Sequence, residues 1–550
     1  MKLTGAQIVI EEILKQGTTT VFGYPGGTVL PIYDELYKNS HRINHVLTAH
    51  EQGAAHAADG YARVTGKAGV VIATSGPGAT NLVTGIANAH LDSIPLVAIT
   101  GNVAVPLLGK DSFQEVDIGG VTQPIVKHNF VVRHVEDLEH IMEEAFKIAE
   151  EGRKGPVLVD IPKDIQTNEC EYIGRDIPDS RKTLADFDIT KAVKAINSGK
   201  KPFIYAGGGV ISAKAEKELL ELSKKISAPV GLSMMGLTAL PASYELNMGM
   251  CGMHGKYSSS MASANCDVMI ALGVRFSDRA TGDIAQYTKN KTIIHVDIDM
   301  AEIDKNITSE IKICGDLKKV ITALTCAVDE NCNDDWMSEI EDYKDVDVVP
   351  YSRDFTPHNI IETVNKAMDK DTVIATDVGQ HQMWTVQNYK FEKPQRLLTS
   401  GGLGTMGFGM GAAIGGCMAN NKKRTVLFTS EGSFGMNLNE MATAVSQKLP
   451  LVIMMMNNGV LGMVRQWQTM FYDKRYAQTT LNRKTDFVKL ADAFGAKSAR
   501  ATNLDELDEI LKNLPTDEPI LIDCIIDMDE MVLPMIPPGL SVKDIIIEKE

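Results

Sequence analysis

The segment 425–468 combines two short apolar runs with the acid and amide residues that follow them. Thr425–Thr429 and Leu451–Met456 each have the length of a buried strand, and Leu438–Gln447 between them has helical periodicity. The pattern predicts a strand–helix–strand unit of a parallel sheet. Ligands bind in open α/β sheets at the carboxyl ends of the strands, so the residues after each run are the first candidates for chemistry.

Glu431 follows the first run and Asn458 follows the second. A carboxylate and an amide oxygen at neighbouring strand ends could share one divalent cation. Gly432 and Ser433, at the start of the next helix, could present backbone N–H groups to a phosphate. Two ordinary strand–loop–helix corners without a ligand would give the same pattern, so the pair alone leaves both interpretations open.

Glu51 is the second candidate for chemistry. It follows the apolar run 46–49 and lies in HEQGAAHAADGYAR, a helical segment of small residues. These surroundings predict a carboxyl that is partly withdrawn from water and able to share a proton with a base. A solvated glutamate at a helix start, favoured by the helix dipole, is the alternative interpretation.

The composition limits the function classes. At 550 residues the chain is too long for one core, and 44% hydrophobic with 23% charged residues is typical of a globular protein. The net charge of −16 argues against a nucleic-acid or anionic-membrane partner. The eight cysteines form no Cys-x-x-Cys pair, no apolar run has membrane-spanning length, and the amino terminus has no targeting pattern. We therefore expect reduced thiols and a cytoplasmic location.

The chain divides into three blocks in which apolar runs alternate with helical segments. This order predicts an α/β protein with three doubly wound parallel-sheet domains. A polar stretch at 168–186 is typical of a linker, and an acidic stretch at 329–347 precedes the third block. The expected bounds are 1–170, 187–345 and 355–525 for the domains and 526–550 for a C-terminal tail.

The middle block carries glycine turns together with arginine and aspartate at predicted strand ends. Gly207, Gly208 and Gly209 follow one apolar run, and Arg275 with Arg279 follow another. Such a set suits a dinucleotide whose phosphates pair with arginines. A triple glycine alone is more often only a tight turn.

Specific motifs run through nearly the whole chain: FGYPGG, HEQGAAHAADGYAR, TSGPGATN, GPVLVDIPKD, GMHG, GVRFSDR, TDVGQHQMW, SGGLGTMGFG, MNNGVLGMVRQWQ and MIPPG. With them the sequence resembles the large catalytic subunits of acetohydroxyacid synthases, also called acetolactate synthases, which depend on thiamine diphosphate. The resemblance implies pyrimidine-binding, central FAD-binding and diphosphate-binding domains. It also implies an active site between two subunits, hence a homodimer or homotetramer, and a small regulatory partner subunit.

The resemblance assigns roles to individual residues. Glu51 would pair with the thiamine ring, and Met406 would support the bound cofactor from below. The diphosphate would be held by Gln380, His381, Gly432 and Ser433, and Mg²⁺ by Glu431, Asn458 and the carbonyl group of Val460. The path of the second substrate would be lined by Gly27, Phe113, Gln114 and Lys163, with Trp467 shaping the acceptor pocket. The FAD contacts would be Arg153, Gly207, Gly208, Gly209, Met253, His254, Arg275, Arg279, Asp297 and Asp316.

The implied reaction begins branched-chain amino acid biosynthesis. Pyruvate is decarboxylated on thiamine diphosphate, and the two-carbon unit joins a second 2-oxoacid. Pyruvate as acceptor gives 2-acetolactate, and 2-oxobutyrate gives 2-aceto-2-hydroxybutyrate, while FAD has a structural role.

The sequence departs from the family pattern at several positions. Ser430 and Glu431 stand where the metal motif has Gly-Asp, Asn102 and Ala104 replace Gln and Pro, and Gly411 replaces Pro. Two alternatives therefore stay open. One is another thiamine-diphosphate decarboxylase or oxidase, and the other is a metal-impaired paralogue with a regulatory or binding role.

Overall fold

Three six-stranded parallel sheets, each flanked by helices, form the body of the protein in a computed structural model. The structure describes residues 1–174, 187–349 and 352–548. The expected α/β class with three doubly wound sheets is confirmed. Within these three described ranges no helix is long and apolar enough to cross a membrane.

The first sheet has the order β3-β2-β4-β5-β7-β6. A short antiparallel ribbon, β1 with β8, joins the two ends of this part of the chain. The strands are β1 (Lys2–Thr4), β2 (Thr20–Tyr24), β3 (Asn44–Leu47), β4 (Gly69–Ala73), β5 (Leu96–Asn102), β6 (His128–Val131), β7 (Pro156–Pro162) and β8 (Glu169–Glu171). The helices are α1 (Gly5–Lys15), α2 (Leu30–Lys38), α3 (Glu51–Thr65), α4 (Pro77–Thr80), α5 (Val83–Asp92), α6 (Ile118–Thr122), α7 (Leu138–Glu150) and α8 (Lys163–Thr167).

The central sheet has the order β11-β10-β9-β12-β13-β14. Its strands are β9 (Pro202–Ala206), β10 (Val230–Leu232), β11 (Asn247–Met250), β12 (Val268–Leu272), β13 (Thr292–Asp297) and β14 (Ile311–Cys314). Its helices are α9 (Thr190–Ser198), α10 (Gly208–Ser212), α11 (Glu216–Lys225), α12 (Tyr257–Asn265), α13 (Asp278–Thr281), α14 (Ile284–Tyr287), α15 (Leu317–Ala327) and α16 (Asp334–Val346).

The third sheet has the order β16-β15-β17-β18-β20-β19. Its strands are β15 (Val373–Thr376), β16 (Leu397–Leu398), β17 (Thr425–Thr429), β18 (Leu451–Asn457), β19 (Lys497–Ala501) and β20 (Ile520–Ile525). Its helices are α17 (Pro357–Ala367), α18 (Gln380–Asn388), α19 (Phe408–Ala419), α20 (Glu431–Phe434), α21 (Glu440–Ser446), α22 (Gly462–Phe471), α23 (Phe487–Phe494) and α24 (Leu504–Lys512).

Helices α3 and α19 hold the first and third sheets together, and one apolar cluster includes both helices and strands of both sheets. The two helices meet backbone to backbone. A Cβ atom on Gly60 would overlap the carbonyl oxygen of Ala412, and one on Gly415 would overlap that of Ala57. Gly411 lies in the same contact, where an added Cβ would stand 2.6 Å from the Gly53 carbonyl oxygen. The small residues of both helices are therefore required for this close approach.

One expectation about the connecting stretches, the linker at 168–186, is wrong in part. Residues 169–171 of the expected linker 168–186 form β8, while residues 175–186 lie outside the described residues. The acidic stretch 329–347 contains α16, whose Trp336 is buried and donates a hydrogen bond to the Pro202 carbonyl at 3.0 Å. The acids of α16 cover its solvent side, which explains why the stretch has the composition of a boundary. The domain bounds themselves stay a prediction.

Candidate active site

The carboxyl ends of β17 and β18 bring the predicted metal ligands together. The strands pair in parallel from Thr425↔Leu451 to Thr429↔Met455, so both chains leave the sheet at one edge. Glu431 begins α20 and Asn458 follows β18, and both side chains are buried. The backbone N–H of Val460 donates to Asn458 Oδ1 at 3.3 Å and closes the turn that faces Glu431.

The Glu431 carboxylate is buried and has no hydrogen-bond partner among the described residues. Neither of its oxygens accepts a hydrogen bond within the described parts of the chain. Burial raises the pKa of Glu431 to about 7, although the nearby backbone amides of Gly459 and Val460 oppose the rise. An unpaired buried anion is costly, and a divalent cation would remove that cost. The oxygen atoms of Glu431, Asn458 and the Val460 backbone therefore fit a hard cation such as Mg²⁺.

Gln380 and His381 open α18 beside this cluster. Gln380 Oε1 accepts from Asn458 Nδ2 at 3.2 Å, so the expected diphosphate residue directly contacts an expected metal ligand. The His381 ring is fully buried, and its Nε2 has no partner among the described residues. Burial lowers the pKa of His381 to about 3, so the ring is neutral at physiological pH.

Gly432, Ser433 and Met406 complete this edge of the sheet. The Ser433 hydroxyl is fully buried and accepts from Val378 N at 3.4 Å. Met406 lies next to Gly432, since a Cβ atom on that glycine would be 3.8 Å from Met406 Cε. The structure thus places all three close to Glu431.

Asp377 is a functional residue that the sequence reasoning missed. Its buried carboxylate accepts from Val378 N at 3.1 Å, Gly407 N at 2.8 Å and Thr429 Oγ1 at 3.3 Å, while burial raises its pKa. These bonds fix the backbone after Met406 to the ends of β15 and β17. The signal was available, because Asp377 follows β15 as directly as the Ser430–Glu431 pair follows β17.

Glu51 begins α3 and is 9% exposed. Its Oε2 accepts a hydrogen bond from Asn81 Nδ2 at 2.9 Å. The carboxyl is therefore largely withdrawn from water, as expected, and has one amide partner. The chain entering α3 is held from the third sheet, where the Glu440 carboxylate accepts from Ala49 N at 3.2 Å and His50 N at 3.0 Å. The sequence analysis did not predict these contacts of Asn81 and Glu440. Asn81 lies in a quoted motif, but Glu440 is distant in sequence and no local pattern indicates its contact.

The expected substrate-path residues lie in the loop after β2, in the loop before α6 and at the start of α8. Gly27 is exposed with open space where a Cβ would stand, and Phe113 is 88% exposed. Gln114 has a φ of 57° and packs against Gly76. Lys163 lines an open pocket of about 420 Å³ together with Thr28, Val103, Ala104, Leu107, Asp164 and Thr167.

Three of the expected FAD contacts, Arg153, Arg275 and Asp297, meet where the first and central sheets face each other. Arg153 donates to Ser93 Oγ at 2.9 Å and pairs with Glu302. Arg275 lies near Arg153, and burial lowers its pKa. Burial raises the pKa of Asp297 to about 6, and Asp316 caps α15 by accepting from Lys319 N at 3.0 Å. Two neighbouring arginines at the end of a parallel sheet suit a pyrophosphate group.

The triple glycine has a packing role at two of its three positions. A Cβ atom on Gly207 would overlap the Gly273 carbonyl oxygen, and one on Gly209 would stand 2.6 Å from Gly273 Cα. Gly208 is less confined, with Met235 Cβ at 3.1 Å. Close approach of the turns after β9 and β12 is enough to explain Gly207 and Gly209 without a ligand.

Met253, Arg279 and Trp467 form a separate group. Arg279 Nη1 lies 3.7 Å from Met253 Sδ, and its guanidinium lies 5.6 Å from the centre of the Trp467 ring. His254 is buried beside them with Nδ1 unpartnered within the described ranges, and burial lowers its pKa to about 4. The central and third sheets therefore meet at the residue expected to shape the acceptor pocket.

Comparison with protein families identifies the class to which the chain belongs. Family models of the thiamine pyrophosphate enzymes match the N-terminal TPP binding domain at residues 3–121, the central domain at 189–324 and the C-terminal TPP binding domain at 377–524. The chain is thus a thiamine-pyrophosphate-dependent enzyme. One match falls on each of the three sheets, and the match to the central domain includes all six strands of its sheet.

Full-length relatives narrow this class. The Escherichia coli acetolactate synthase isozyme 3 large subunit is 42% identical over 97% of this chain and 96% of its own length. The Corynebacterium glutamicum acetolactate synthase large subunit is 44% identical over 99% and 90%, and a probable acetolactate synthase large subunit of Methanocaldococcus jannaschii is 43% identical over 98% and 94%. The chain belongs to the acetolactate synthase large-subunit family.

Proposed function

We propose that this protein converts two molecules of pyruvate to 2-acetolactate and CO₂, and pyruvate with 2-oxobutyrate to 2-aceto-2-hydroxybutyrate. The observation that carries the proposal is the buried, unpartnered Glu431 carboxylate beside Asn458 in a thiamine-pyrophosphate-binding domain. Such a group is stable as an anion only with a cation beside it. The glutamate is thus a working metal ligand where the family motif has aspartate.

Three cofactors fit the residues of this chain. Glu431, Asn458 and Val460 would hold Mg²⁺. The diphosphate would be held by Gln380, His381, Gly432 and Ser433. FAD would be held by Arg153, Arg275 and the other residues that the resemblance assigns to it. Bound thiamine diphosphate supplies the carbon centre that adds to a 2-oxoacid and accepts the electrons released by decarboxylation.

The protein's own part is to bind and orient the cofactor and the substrates and to exclude water from the site. Glu51, held by Asn81, would keep a proton in place at the thiamine ring. Asp377 fixes the backbone after Met406 and so the side chain that would support the cofactor. Trp467 and Arg279 would line the pocket of the acceptor 2-oxoacid. The guanidinium of Arg279 would lie near the carboxylate of that substrate. FAD has a structural role in this scheme.

The active form would be a homodimer or homotetramer in the cytoplasm, with a small regulatory subunit as partner. A second copy of the chain would cover Phe113, which is 88% exposed in the single chain. The family name of the relatives, large subunit, supports the small partner.

Acetolactate formation from pyruvate tests the proposal. The purified chain would be assayed with thiamine diphosphate, FAD and Mg²⁺ beside Glu431→Asp and Glu431→Gln, and Glu330→Gln would control for the loss of one exposed charge. We expect activity in the parent, Glu431→Asp and the control, and a loss of at least about 100-fold in Glu431→Gln. If Glu431→Asp were active and the parent inactive, Glu431 would be the cause of impaired metal binding in this chain. A different product from pyruvate would assign another decarboxylase or oxidase.

A further inference from the structure

The C-terminal tail after β20 crosses the third sheet and ends on the central one. Trp384 Nε1 donates to the Met531 carbonyl at 3.1 Å, Ile536 N donates to the Met253 carbonyl at 2.8 Å, and Asp283 N donates to the Leu540 carbonyl at 3.1 Å. The tail is thus an ordered strap, held by these hydrogen bonds and by the burial of Val532 and Met535. One further side chain also binds the tail, and the proposed reaction assigns it no role.

That side chain is Gln466 on α22, which is 3% exposed. Its Oε1 accepts from Val532 N at 2.9 Å, and its Nε2 donates to the Val532 carbonyl at 3.1 Å. One amide side chain therefore satisfies both backbone groups of a tail residue, as a neighbouring strand would. Both partners are buried, so breaking the pair would leave unsatisfied polar groups.

Gln466 also reaches the metal cluster. Its Oε1 accepts a second hydrogen bond, from Gln380 Nε2 at 3.0 Å, and that Nε2 donates to the Glu530 carbonyl at 2.8 Å. Gln380 Oε1 in turn accepts from Asn458 Nδ2 at 3.2 Å. An unbroken series of amide hydrogen bonds thus leads from Val532 in the tail through Gln466 and Gln380 to Asn458.

The bond at Asn458 fixes which side of that amide faces the cluster. Because Nδ2 is directed to Gln380, Oδ1 is left on the side of the Val460 turn, where a cation would need an oxygen. The orientation of Gln380 is set in turn by its own Nε2, which donates to Gln466 and to the Glu530 carbonyl of the tail. The bond network therefore links an ordered tail to a correctly oriented Asn458.

We propose that Gln466 is a positioning residue that couples closure of the C-terminal tail to binding of the metal–diphosphate group. The inference rests on the proposed metal role of Asn458. Coupling is reciprocal: a bound cation stabilises the closed tail by the same factor by which the closed tail strengthens cation binding. Cofactor binding would then cover the site, and cofactor loss would loosen the strap.

The test is Gln466→Leu in the full chain, with Gln468→Leu as matched control. Gln468 lies on the same helix, but its side chain bonds Ala477 and Thr479 and contacts neither the tail nor Gln380 in the described structure. Hydrogen exchange of peptides covering 526–536 would be measured with and without thiamine diphosphate and Mg²⁺. Thiamine diphosphate affinity would be titrated in parallel, together with kcat at saturating cofactor.

We expect cofactor to slow tail exchange in the parent and the control. In Gln466→Leu the tail should exchange faster and no longer respond to cofactor, and cofactor affinity should fall about five- to tenfold with kcat within twofold of the parent. Unchanged tail exchange, or a loosened tail with unchanged affinity, would overturn the coupling. If the parent itself binds no thiamine diphosphate, the proposed function fails as well, which separates that result from a failure of the inference alone.

Discussion

Replacing Glu431 by glutamine should change the pH dependence of stability in the chelator-treated protein. The folded-state pKa of this carboxyl is about 7, against 4.5 in the unfolded chain. The folded state therefore binds more protons between these values, and its stability falls as pH rises from about 4.5 to about 7. Glutamine does not titrate, so Glu431→Gln is free of this loss.

The magnitude follows from the two pKa values. Above pH 7 the parent carries the full cost of the buried charge, about 3 kcal/mol, and at pH 5.5 it carries somewhat less than half of it. Between pH 5.5 and pH 8 the parent should therefore lose about 2 kcal/mol relative to Glu431→Gln. For a domain of ordinary size this corresponds to about 4–8 °C in unfolding midpoint.

The assay is thermal unfolding at both pH values in EDTA, with Glu330→Gln as the control for net charge. Mg²⁺ with thiamine diphosphate should then raise the midpoint of the parent and leave Glu431→Gln nearly unchanged, since binding to the folded state stabilises it. Parallel pH profiles for the parent and Glu431→Gln would refute the reasoning. They would mean that the carboxylate is solvated or paired and has no need of a cation.

Three further outcomes are expected. Glu51→Gln should lower acetolactate formation at least about 100-fold while thiamine diphosphate affinity, measured by titration, stays within about threefold; equal losses in both would contradict a proton-sharing role. Gly415→Ala should destabilise the chain by at least about 2 kcal/mol in urea, because its methyl group would overlap the Ala57 carbonyl oxygen; an unchanged midpoint would show that α3 and α19 can separate. Mn²⁺ should restore activity to the metal-stripped enzyme at least as well as Mg²⁺, since the longer side chain of Glu431 needs a less strict coordination; activity retained without any divalent ion would contradict metal ligation.

The strands were predictable because their apolar runs are buried on both faces of a parallel sheet. Thr425–Thr429 is confirmed with the expected bounds, and the run from Leu451 is one residue longer than expected. Strand-end chemistry followed from the same pattern, which is why Glu431 and Asn458 were found together. Helix α16 was not predicted because its exposed face is acidic, and Trp336 and Ile340 are its only fully buried residues.

Contacts between segments that are distant in the sequence could not be predicted from local sequence patterns. Gln466 looks like any polar residue on a helix until the tail is placed against it, and Glu440 gains its role from the backbone before α3. The triple glycine shows a different situation. Its pattern predicts a ligand loop, which stays a prediction, and the close approach of Gly273 also requires glycine at positions 207 and 209.

The backbone contact between α3 and α19 has a mechanical consequence. Most helix pairs are separated by a layer of side chains that can change rotamer and let one helix slide over the other. Here that layer is missing, so a displacement of α19 must push α3 by nearly the same distance. The first and third sheets should therefore respond to force as one block. Opening of the site for substrates is then left to the parts outside this block: the central domain, the loop of Phe113 and the C-terminal tail.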